Sequence, residues 1–156
     1  MKEDRVNIPE WEHQQHSESF PNIVLNRIRT PDGTVLTSYH QHDYKQYRDA
    51  NGHLYAVDGG LSYLRRIDAP GYVELSVDDS APFEVIRESL HWGSLAKPVG
   101  KEPTQHVYKP ICELSNAHIK NILNDGYGSQ WVRNFLKMEL AFRKKHKIVI
   151  KDKKRT

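Results

Sequence analysis

The chain has 156 residues, of which 28% are charged and 37% are hydrophobic, and it carries a net charge of +3. This length suits one domain of ordinary size, and there is no run of about 18 apolar residues that would predict a membrane-spanning helix. The N-terminus has no apolar segment of the kind found in a secretory signal. The single cysteine, Cys112, cannot form an internal disulfide. We therefore expect a cytoplasmic protein with no membrane partner.

The N-terminal half of the sequence predicts a polar arm followed by a β-rich module. Residues 1–20 are polar and lack a periodic apolar pattern, which is typical of an arm. Residues 21–79 contain β-branched and alternating segments, separated by the turn signals Pro-Asp-Gly at 31–33 and Asn-Gly at 51–52. Another alternating segment, at 72–77, predicts one more half-buried strand. We expect a ribbon-like module built as a small antiparallel β meander or barrel.

Residues 80–110 predict a helix followed by an extended connector. Ser80 is placed to cap the N-terminus of this helix. The expected buried face consists of apolar residues at helical spacing: Phe83, Ile86 and Leu90. From 94 to 110 three prolines interrupt the chain, and this composition favours an extended connector.

Residues 111–147 predict a C-terminal helical hairpin, and residues 148–156 predict a basic tail. Ser115 and Ser129 each precede an amphipathic segment and are expected to cap it. Gly126 suits the left-handed position that ends the first of these helices. The predicted fold class is therefore α+β, with the β meander or barrel packed against the helical hairpin.

The C-terminal end of the chain is strongly basic. From Lys137 to Arg155 there are nine Lys or Arg residues against two Asp or Glu residues. Such an end fits contact with nucleic acid. It also fits a solvated helix terminus, where basic residues interact favourably with the helix dipole. The second interpretation is favoured, because nucleic-acid-binding domains are usually more basic than this chain.

Several motifs follow one another along the chain. Residues 37–44 read Thr-Ser-Tyr-His-Gln-His-Asp-Tyr, residues 57–66 read Val-Asp-Gly-Gly-Leu-Ser-Tyr-Leu-Arg-Arg, Trp-Gly stands at 92–93, and a helical end covers 114–143. Together they resemble an uncharacterised family of small bacteriophage proteins, in which H-x-H-D and V-D-G-G-x-x-Y-x-R segments precede a helical C-terminal region. The resemblance covers roughly residues 23–147. It implies a phage accessory protein of host takeover or counter-defence, acting in the host cytoplasm, and it implies no assigned reaction.

One feature of that family is missing from this chain. Many members carry the paired cysteines of a zinc ribbon before and after the H-x-H-D segment, whereas residues 26–33 and 48–52 contain no cysteine. A ribbon zinc needs about four N or S ligands, with thiolates usual among them. We therefore expect tight turns in place of the metal-binding knuckles, and we expect neither zinc nor another cofactor.

A group of polar residues forms the candidate catalytic set: His40, His42, Asp43 and Asp58. In a strand the two histidines would point to the same face, where they and the carboxylates could bind a metal or a phosphate. This pattern gives the hypothesis of a small metal-dependent phosphodiesterase or nuclease. The alternative is that these side chains brace turns and bind backbone groups, and it is favoured because such a motif is weak without geometry.

Aromatic and basic residues of the β module form the candidate ligand-binding face: Tyr39, Tyr44, Tyr63, Arg65 and Arg66. Stacking side chains beside cations fit a nucleotide or single-stranded nucleic acid, and the same residues fit the polar-rimmed outer face of a sheet. No Walker loop, G-x-S-x-G or G-x-G-x-x-G motif occurs. The leading hypothesis is therefore a non-catalytic protein that binds a host protein or a nucleotide through this face.

Overall fold

The structure is a computed structural model that describes residues 22–60, 64–67, 69–95, 100–101 and 105–153. The predicted arm at 1–20 and the candidate residue Tyr63 lie outside these ranges. The elements in chain order are β1 (Ile23–Arg29), β2 (Val35–Ser38), β3 (Lys45–Arg48), β4 (Leu54–Asp58), β5 (Arg65–Ile67), β6 (Val73–Glu74), β7 (Val77–Asp78), α1 (Phe83–Ser89), β8 (His91–Leu95), β9 (His106–Pro110), a 3-10 helix (Ile111–Glu113), α2 (Asn116–Asp125) and α3 (Gln130–His146).

The described strands form three small antiparallel sheets. In the first sheet β1 pairs with β2, β6 and β7, in the second sheet β4 lies between β3 and β5, and β8 pairs with β9 in the third. The predicted α+β class with a C-terminal helical hairpin is confirmed. The barrel alternative is wrong, because none of these described sheets closes on itself.

Both predicted hairpin turns are present. Between β1 and β2, Gly33 adopts a φ of +91° and its N–H donates to Thr30 O at 2.9 Å. Between β3 and β4, Gly52 adopts a φ of +82° and its N–H donates to Asp49 O at 3.0 Å. Glycine adopts positive φ at no steric cost, so these local signals are sufficient to place the two hairpins.

The single strand predicted at 72–77 is divided into β6 and β7. Between them, Ser76 Oγ accepts a hydrogen bond from Arg27 N at 2.9 Å. The neighbouring Leu75 N donates to Arg27 O at 2.9 Å. A side-chain hydroxyl thus takes the place of the backbone acceptor that a continuous strand would supply, and the backbone ladder is interrupted here.

The region 80–110 contains more paired structure than the sequence predicted. The expected cap at Ser80 is wrong: α1 begins after Pro82, and the Ser80 hydroxyl donates to the Asp78 carboxylate instead. The end of β8 and all of β9 lie in the predicted connector at 94–110, and these two strands pair over five residues each. Pro110, one of the prolines that favoured a connector, ends β9, where the absence of an N–H is tolerated.

The C-terminal helices confirm the predicted caps. Ser115 Oγ accepts from His118 N at 3.0 Å at the start of α2, and Ser129 Oγ accepts from Val132 N at 3.3 Å at the start of α3. Gly126 follows α2 with a φ of +74°. Among the described helices, none combines the length and the apolar character needed to cross a bilayer.

Two apolar clusters form the core, and β1 contributes to both. The larger cluster joins Val24 of β1 to the helices through further buried residues: Ile86, Leu90, Ile111, Leu114, Ile119, Ile122, Val132 and Leu136. The smaller cluster combines residues of β1, β2 and β4: Ile28, Leu36, Tyr55 and Val57. The first strand therefore connects the β module to the helical end.

A buried ionic cluster links the helices beside the larger core. Glu139 on α3 is fully buried, and its carboxylate accepts hydrogen bonds from Arg87 Nε and Nη2, both at 2.8 Å. Arg143, one turn further along α3, donates to the same carboxylate at 2.7 Å. Arg143 also donates to the carbonyl oxygens of Ile111 and Cys112 at 3.0 and 3.3 Å. The hydrogen bonds with Glu139 raise the pKa of Arg87.

Replacing Glu139 with Gln should destabilise the fold by about 3–5 kcal/mol, because Arg87 and Arg143 then lose their buried counter-ion. Urea unfolding followed by circular dichroism measures this loss. Glu88→Gln, at an exposed position of α1, is the matched control and should change the free energy of unfolding by less than about 0.5 kcal/mol. Equal stability of the two variants would contradict a structural role for the cluster.

Candidate functional site

The H-x-H-D segment forms a turn after β2. The His40 carbonyl accepts from Asp43 N at 3.3 Å. Asp43 Oδ2 accepts from Tyr39 N at 3.0 Å and from Lys45 Nζ at 3.1 Å. The placement of His40 and His42 on one face of a strand is therefore wrong. The Asp43 carboxylate braces the turn, as the alternative interpretation of this motif proposed.

The two histidines of this turn have different surroundings. His40 Nδ1 accepts from the His42 N–H at 3.3 Å. The His40 ring stacks on Tyr108 of β9, with the ring centroids 4.2 Å apart and the planes at 12°. Burial lowers the pKa of His40 from 6.5, whereas His42 is exposed. His40 therefore connects this turn to the β8–β9 hairpin as a neutral aromatic ring.

Asp58 lies at the end of β4, opposite Arg65 of β5. Its backbone carbonyl accepts from Asn26 Nδ2 at 3.2 Å. Within the described part of the chain, no three His, Cys, Asp or Glu side chains are arranged to hold a metal. The structure thus brings His40 and Asp43 into one turn, but it does not gather them with Asp58 around a metal.

The two motif segments pack directly against each other. Gly60, in the V-D-G-G segment, lies against the backbone of the H-x-H-D turn. A Cβ on Gly60 would be 2.7 Å from Ser38 O and 3.0 Å from His40 N. The preceding carbonyl, that of Gly59, accepts from the buried Asn26 Nδ2 at 2.8 Å. These contacts give the glycines a structural role in joining the two segments.

Gly60→Ala should lower the free energy of unfolding by about 1–3 kcal/mol, because the atoms that the new methyl meets are backbone and cannot move aside. Urea unfolding measures this loss. Ala141→Ser adds one atom at an exposed position of α3 and should change stability by at most about 0.5 kcal/mol. Wild-type stability in Gly60→Ala would contradict the close approach of the two segments.

Three of the candidate binding residues line one depression on the second sheet. Tyr44, Arg65 and Arg66 surround a volume of about 220 Å³, together with Asp58 and Ile67. Tyr44 is 52% exposed and Ile67 is 47% exposed. This depression is therefore an open surface feature that combines aromatic, aliphatic and basic groups.

Tyr39 does not belong to that depression. Its ring packs at a tilt against His91 of β8, with the centroids 4.5 Å apart. Lys45 Nζ lies 5.1 Å from the centre of the Tyr39 ring. The structure thus separates Tyr39 from the other candidate binding residues that it describes.

Arg66 is directed towards the interior, whereas Arg65 is exposed. The Arg66 guanidinium donates to Asn26 Oδ1 at 3.1 Å and to Ser76 Oγ at 2.7 Å, and it forms a bidentate pair with Glu74. Burial opposes the charge of Arg66, but the hydrogen bonds and charge of Glu74 outweigh burial and raise its pKa. Neighbouring residues of a strand point to opposite faces, so Arg65 is the basic residue of the outer face.

Two other tyrosines of the β module serve its structure. Tyr55 is fully buried, and Tyr47 OH donates to Asp32 Oδ2 at 2.5 Å. Asp32 Oδ1 also accepts from Thr30 Oγ1 at 2.5 Å and from Thr34 N at 3.0 Å. The hydrogen bonds from Thr30 and Tyr47 hold the pKa of Asp32 far below its usual 3.8. A carboxylate therefore organises the first turn of the β module.

Asp32→Asn should lower the free energy of unfolding at pH 7, because the neutral amide cannot accept these hydrogen bonds in the same way. The pKa of Asp32 is lower in the folded state than its ordinary value of 3.8. The stabilisation that the Asp32 carboxylate gives to the folded state is therefore fully present above pH 3.8, and it is lost as the pH falls below that value.

Urea unfolding of both proteins between pH 7 and pH 2 measures this difference, which should shrink in acid. Asp125→Asn, at the exposed end of α2, serves as the control and should show a much smaller effect at pH 7. A difference between wild type and Asp32→Asn that stays constant over the whole range would contradict the assignment.

The sequence did not predict an aromatic cleft of about 450 Å³ beside the β8–β9 hairpin. It lies between this hairpin, the H-x-H-D turn and the start of α3. Its walls include several aromatic rings and a glycine: His91, Trp92, Gly93, His106, Tyr108 and Trp131. The aromatic rings at positions 106 and 108 alternate in the way that is typical of a strand. The prolines on either side of these positions favoured a connector instead.

One of the described residues of the basic C-terminal end is buried. Arg143 is only 1% exposed and binds Glu139. Lys144, Lys145 and Lys147 are exposed at the end of α3. Contact between this end and nucleic acid stays a prediction.

Comparison with protein-family models, with curated proteins and with solved structures found no match for this chain. The resemblance to a bacteriophage family rests on the motif residues and stays a prediction. The geometry gives the H-x-H-D and V-D-G-G segments a shared role in packing. The candidate binding sites among the described residues include the outer face of the second sheet and the aromatic cleft.

Proposed function

We propose that this chain is a bacteriophage accessory protein of host takeover or counter-defence, which binds a host protein in the cytoplasm and performs no catalysis. The phage assignment is inferred from the resemblance of the motifs at 37–44 and 57–66. The mode of action is supported by one observation: the outer face of the second sheet exposes Tyr44 and Ile67 beside a basic residue.

The outer face consists of residues on or beside β3, β4 and β5 that alternate away from the smaller core cluster: Tyr44, Gln46, Ala56, Asp58, Arg65 and Ile67. Exposed tyrosine and arginine are the residue types that most often dominate binding energy at protein interfaces. An exposed Ile67 adds apolar area at the edge strand β5. This composition, an apolar centre with polar groups around it, favours a protein partner.

The size of the depression also favours a protein over a nucleotide at this face. Its volume of about 220 Å³ is below the range of about 300–1,000 Å³ usual for small-molecule sites. Arg66, one of the two cations expected to hold a phosphate, is bound to Glu74 instead. The host-protein alternative is therefore better supported here than the nucleotide alternative.

The charges on this face define the chemistry of the partner. Arg65 is exposed, and Asp58, opposite Arg65, is half-buried. A complementary partner would present apolar side chains next to one or two carboxylates. We therefore propose an acidic and partly apolar surface of a host protein as the target.

The metal-dependent phosphodiesterase or nuclease hypothesis receives less support from the same geometry. Asp43 binds Tyr39 N and Lys45, and Asp58 lines the depression on the second sheet. The carboxylates of Asp43 and Asp58 thus lie in different surroundings. A two-carboxylate metal site would require them to converge.

A photo-crosslinking amino acid in place of Tyr44 should yield a covalent adduct with one host protein when the full chain is expressed in the bacterial host. Mass spectrometry identifies the adduct. The same amino acid in place of Tyr127, which is 64% exposed in the loop between α2 and α3, is the control and should not capture that protein.

The affinity of the captured protein should then fall at least about tenfold for Tyr44→Ala/Ile67→Ser, since truncating an interface hot spot costs about 2 kcal/mol or more. Calorimetry with the purified partners measures this change. Tyr127→Ala/Val149→Ser removes an aromatic and aliphatic pair that is more exposed, at 64% and 68%, and should bind as the wild type does. Wild-type affinity in the first double variant would refute the proposed interface.

A further inference from the structure

The aromatic cleft beside β8 and β9 has walls that are fixed before any ligand arrives. The Tyr108 ring lies on the backbone of Gly93, where a Cβ would be 2.6 Å from Tyr108 Cε1. His40 stacks on the Tyr108 ring at 4.2 Å. The Tyr108 ring is therefore held in place by contacts with Gly93 and His40.

The two tryptophans of the cleft are held in a similar way. Trp92 packs on Gly128, where a Cβ would be 3.0 Å from Trp92 Cζ3. Trp131 Nε1 donates to Asp79 Oδ2 at 3.1 Å, and its ring meets Phe135 edge to face at 5.1 Å. Rigid aromatic surfaces bind a planar ligand with little loss of conformational entropy.

The cleft is lined mainly by aromatic and polar side chains. None of the described residues that line it is Asp, Glu, Lys or Arg, so these residues supply no carboxylate, ammonium or guanidinium group to a ligand. His91 Nδ1 bonds to Ser89 O at 2.7 Å, and a carbonyl oxygen can only accept. Burial lowers the pKa of His91 from 6.5, so its ring is neutral at pH 7 and Nε2 is a hydrogen-bond acceptor.

We infer that this cleft binds the base of a free purine nucleoside or nucleotide that carries an exocyclic amino group. The volume of about 450 Å³ lies in the usual range for small-molecule sites, about 300–1,000 Å³. The aromatic walls supply stacking surface for the double ring. His91 lines the cleft, and its Nε2 acceptor would suit an N–H donor such as an exocyclic amino group. Any phosphate would remain in solvent outside the cleft.

This inference is independent of the host-protein interface, because the outer face of the second sheet and the cleft share none of their lining residues. The two sites also differ in chemistry, since the outer face carries an arginine while the described lining of the cleft is aromatic and contains no Lys or Arg. One can therefore fail without the other.

Calorimetric titration of the full chain at pH 7 provides the test, with adenosine, AMP, inosine and ribose 5-phosphate as probes. Adenosine and AMP should bind with affinities within a few-fold of each other, because the phosphate makes no ionic contact. Inosine should bind at least about fivefold more weakly, since a carbonyl then faces the His91 acceptor. Ribose 5-phosphate, which lacks a base, should not bind.

Two variants localise the binding. Trp92→Leu should weaken adenosine binding at least about fivefold, because stacking of a base on an aromatic side chain contributes about 1–3 kcal/mol. His106→Ala, at an exposed position that does not endanger folding, should weaken it by a smaller factor. Tyr44→Ala is the control, and it should bind adenosine as the wild type does while losing the host protein.

The indole N–H signals of Trp92 and Trp131 in the wild-type chain give a second readout that needs no destabilising change. They should shift on addition of adenosine, with Trp92→Phe and Trp131→Phe used to assign them. Failure of adenosine and AMP to shift these signals would overturn the inference. So would equal binding of AMP and ribose 5-phosphate, or binding of single-stranded oligonucleotides without binding of adenosine.

Discussion

The Glu139 carboxylate, buried between Arg87 and Arg143, is the interaction on which the helical half depends. Arg143 extends this cluster to Asn116 Oδ1 at 2.9 Å and to the carbonyl oxygen of Ile111 at 3.0 Å. Glu139 and Arg143 together therefore link α1, α2, α3 and the 3-10 helix. Removing one partner from such a cluster is costly, because the remaining charges stay buried. The cluster also constrains the position of β9, which walls the aromatic cleft, because β9 leads directly into the 3-10 helix.

A second group of polar side chains, around Asn26, holds the elements of the β module together. Asn26 is fully buried in β1, and its amide nitrogen donates to the carbonyl oxygens of Asp58 and Gly59. Its oxygen accepts from Arg66, which also binds Glu74 of β6. The first and second sheets are thus joined by a side chain whose polar atoms are satisfied, as burial requires. This use of Arg66 explains why Arg65 is the basic residue that the outer face presents.

Local signals in the sequence were sufficient for the elements that depend on neighbouring residues. Gly33, Gly52 and Gly126 adopt the positive φ expected of them, and Ser115 and Ser129 cap their helices. The features that the sequence did not reveal depend on partners far apart in the chain. Arg87 and Glu139 meet across 52 positions, and β8 pairs with β9 across a segment rich in proline. The residues of the outer face can be predicted from the alternation of side chains along strands. The cleft cannot be predicted in this way, because three separate segments of the chain form it.

The H-x-H-D and V-D-G-G motifs acquire a physical meaning from this assembly. Gly60 lets the two segments approach until their backbones touch, and Asp43 then fixes the turn through Tyr39 N. Once the turn is fixed, His40 lies on the Tyr108 ring and Tyr39 lies against His91. Two residues of the candidate catalytic set, His40 and Asp43, therefore help to position the hairpin that walls the cleft. This positioning needs the ring of His40 for stacking and the carboxylate of Asp43 as an acceptor for a backbone N–H, and both contacts are present.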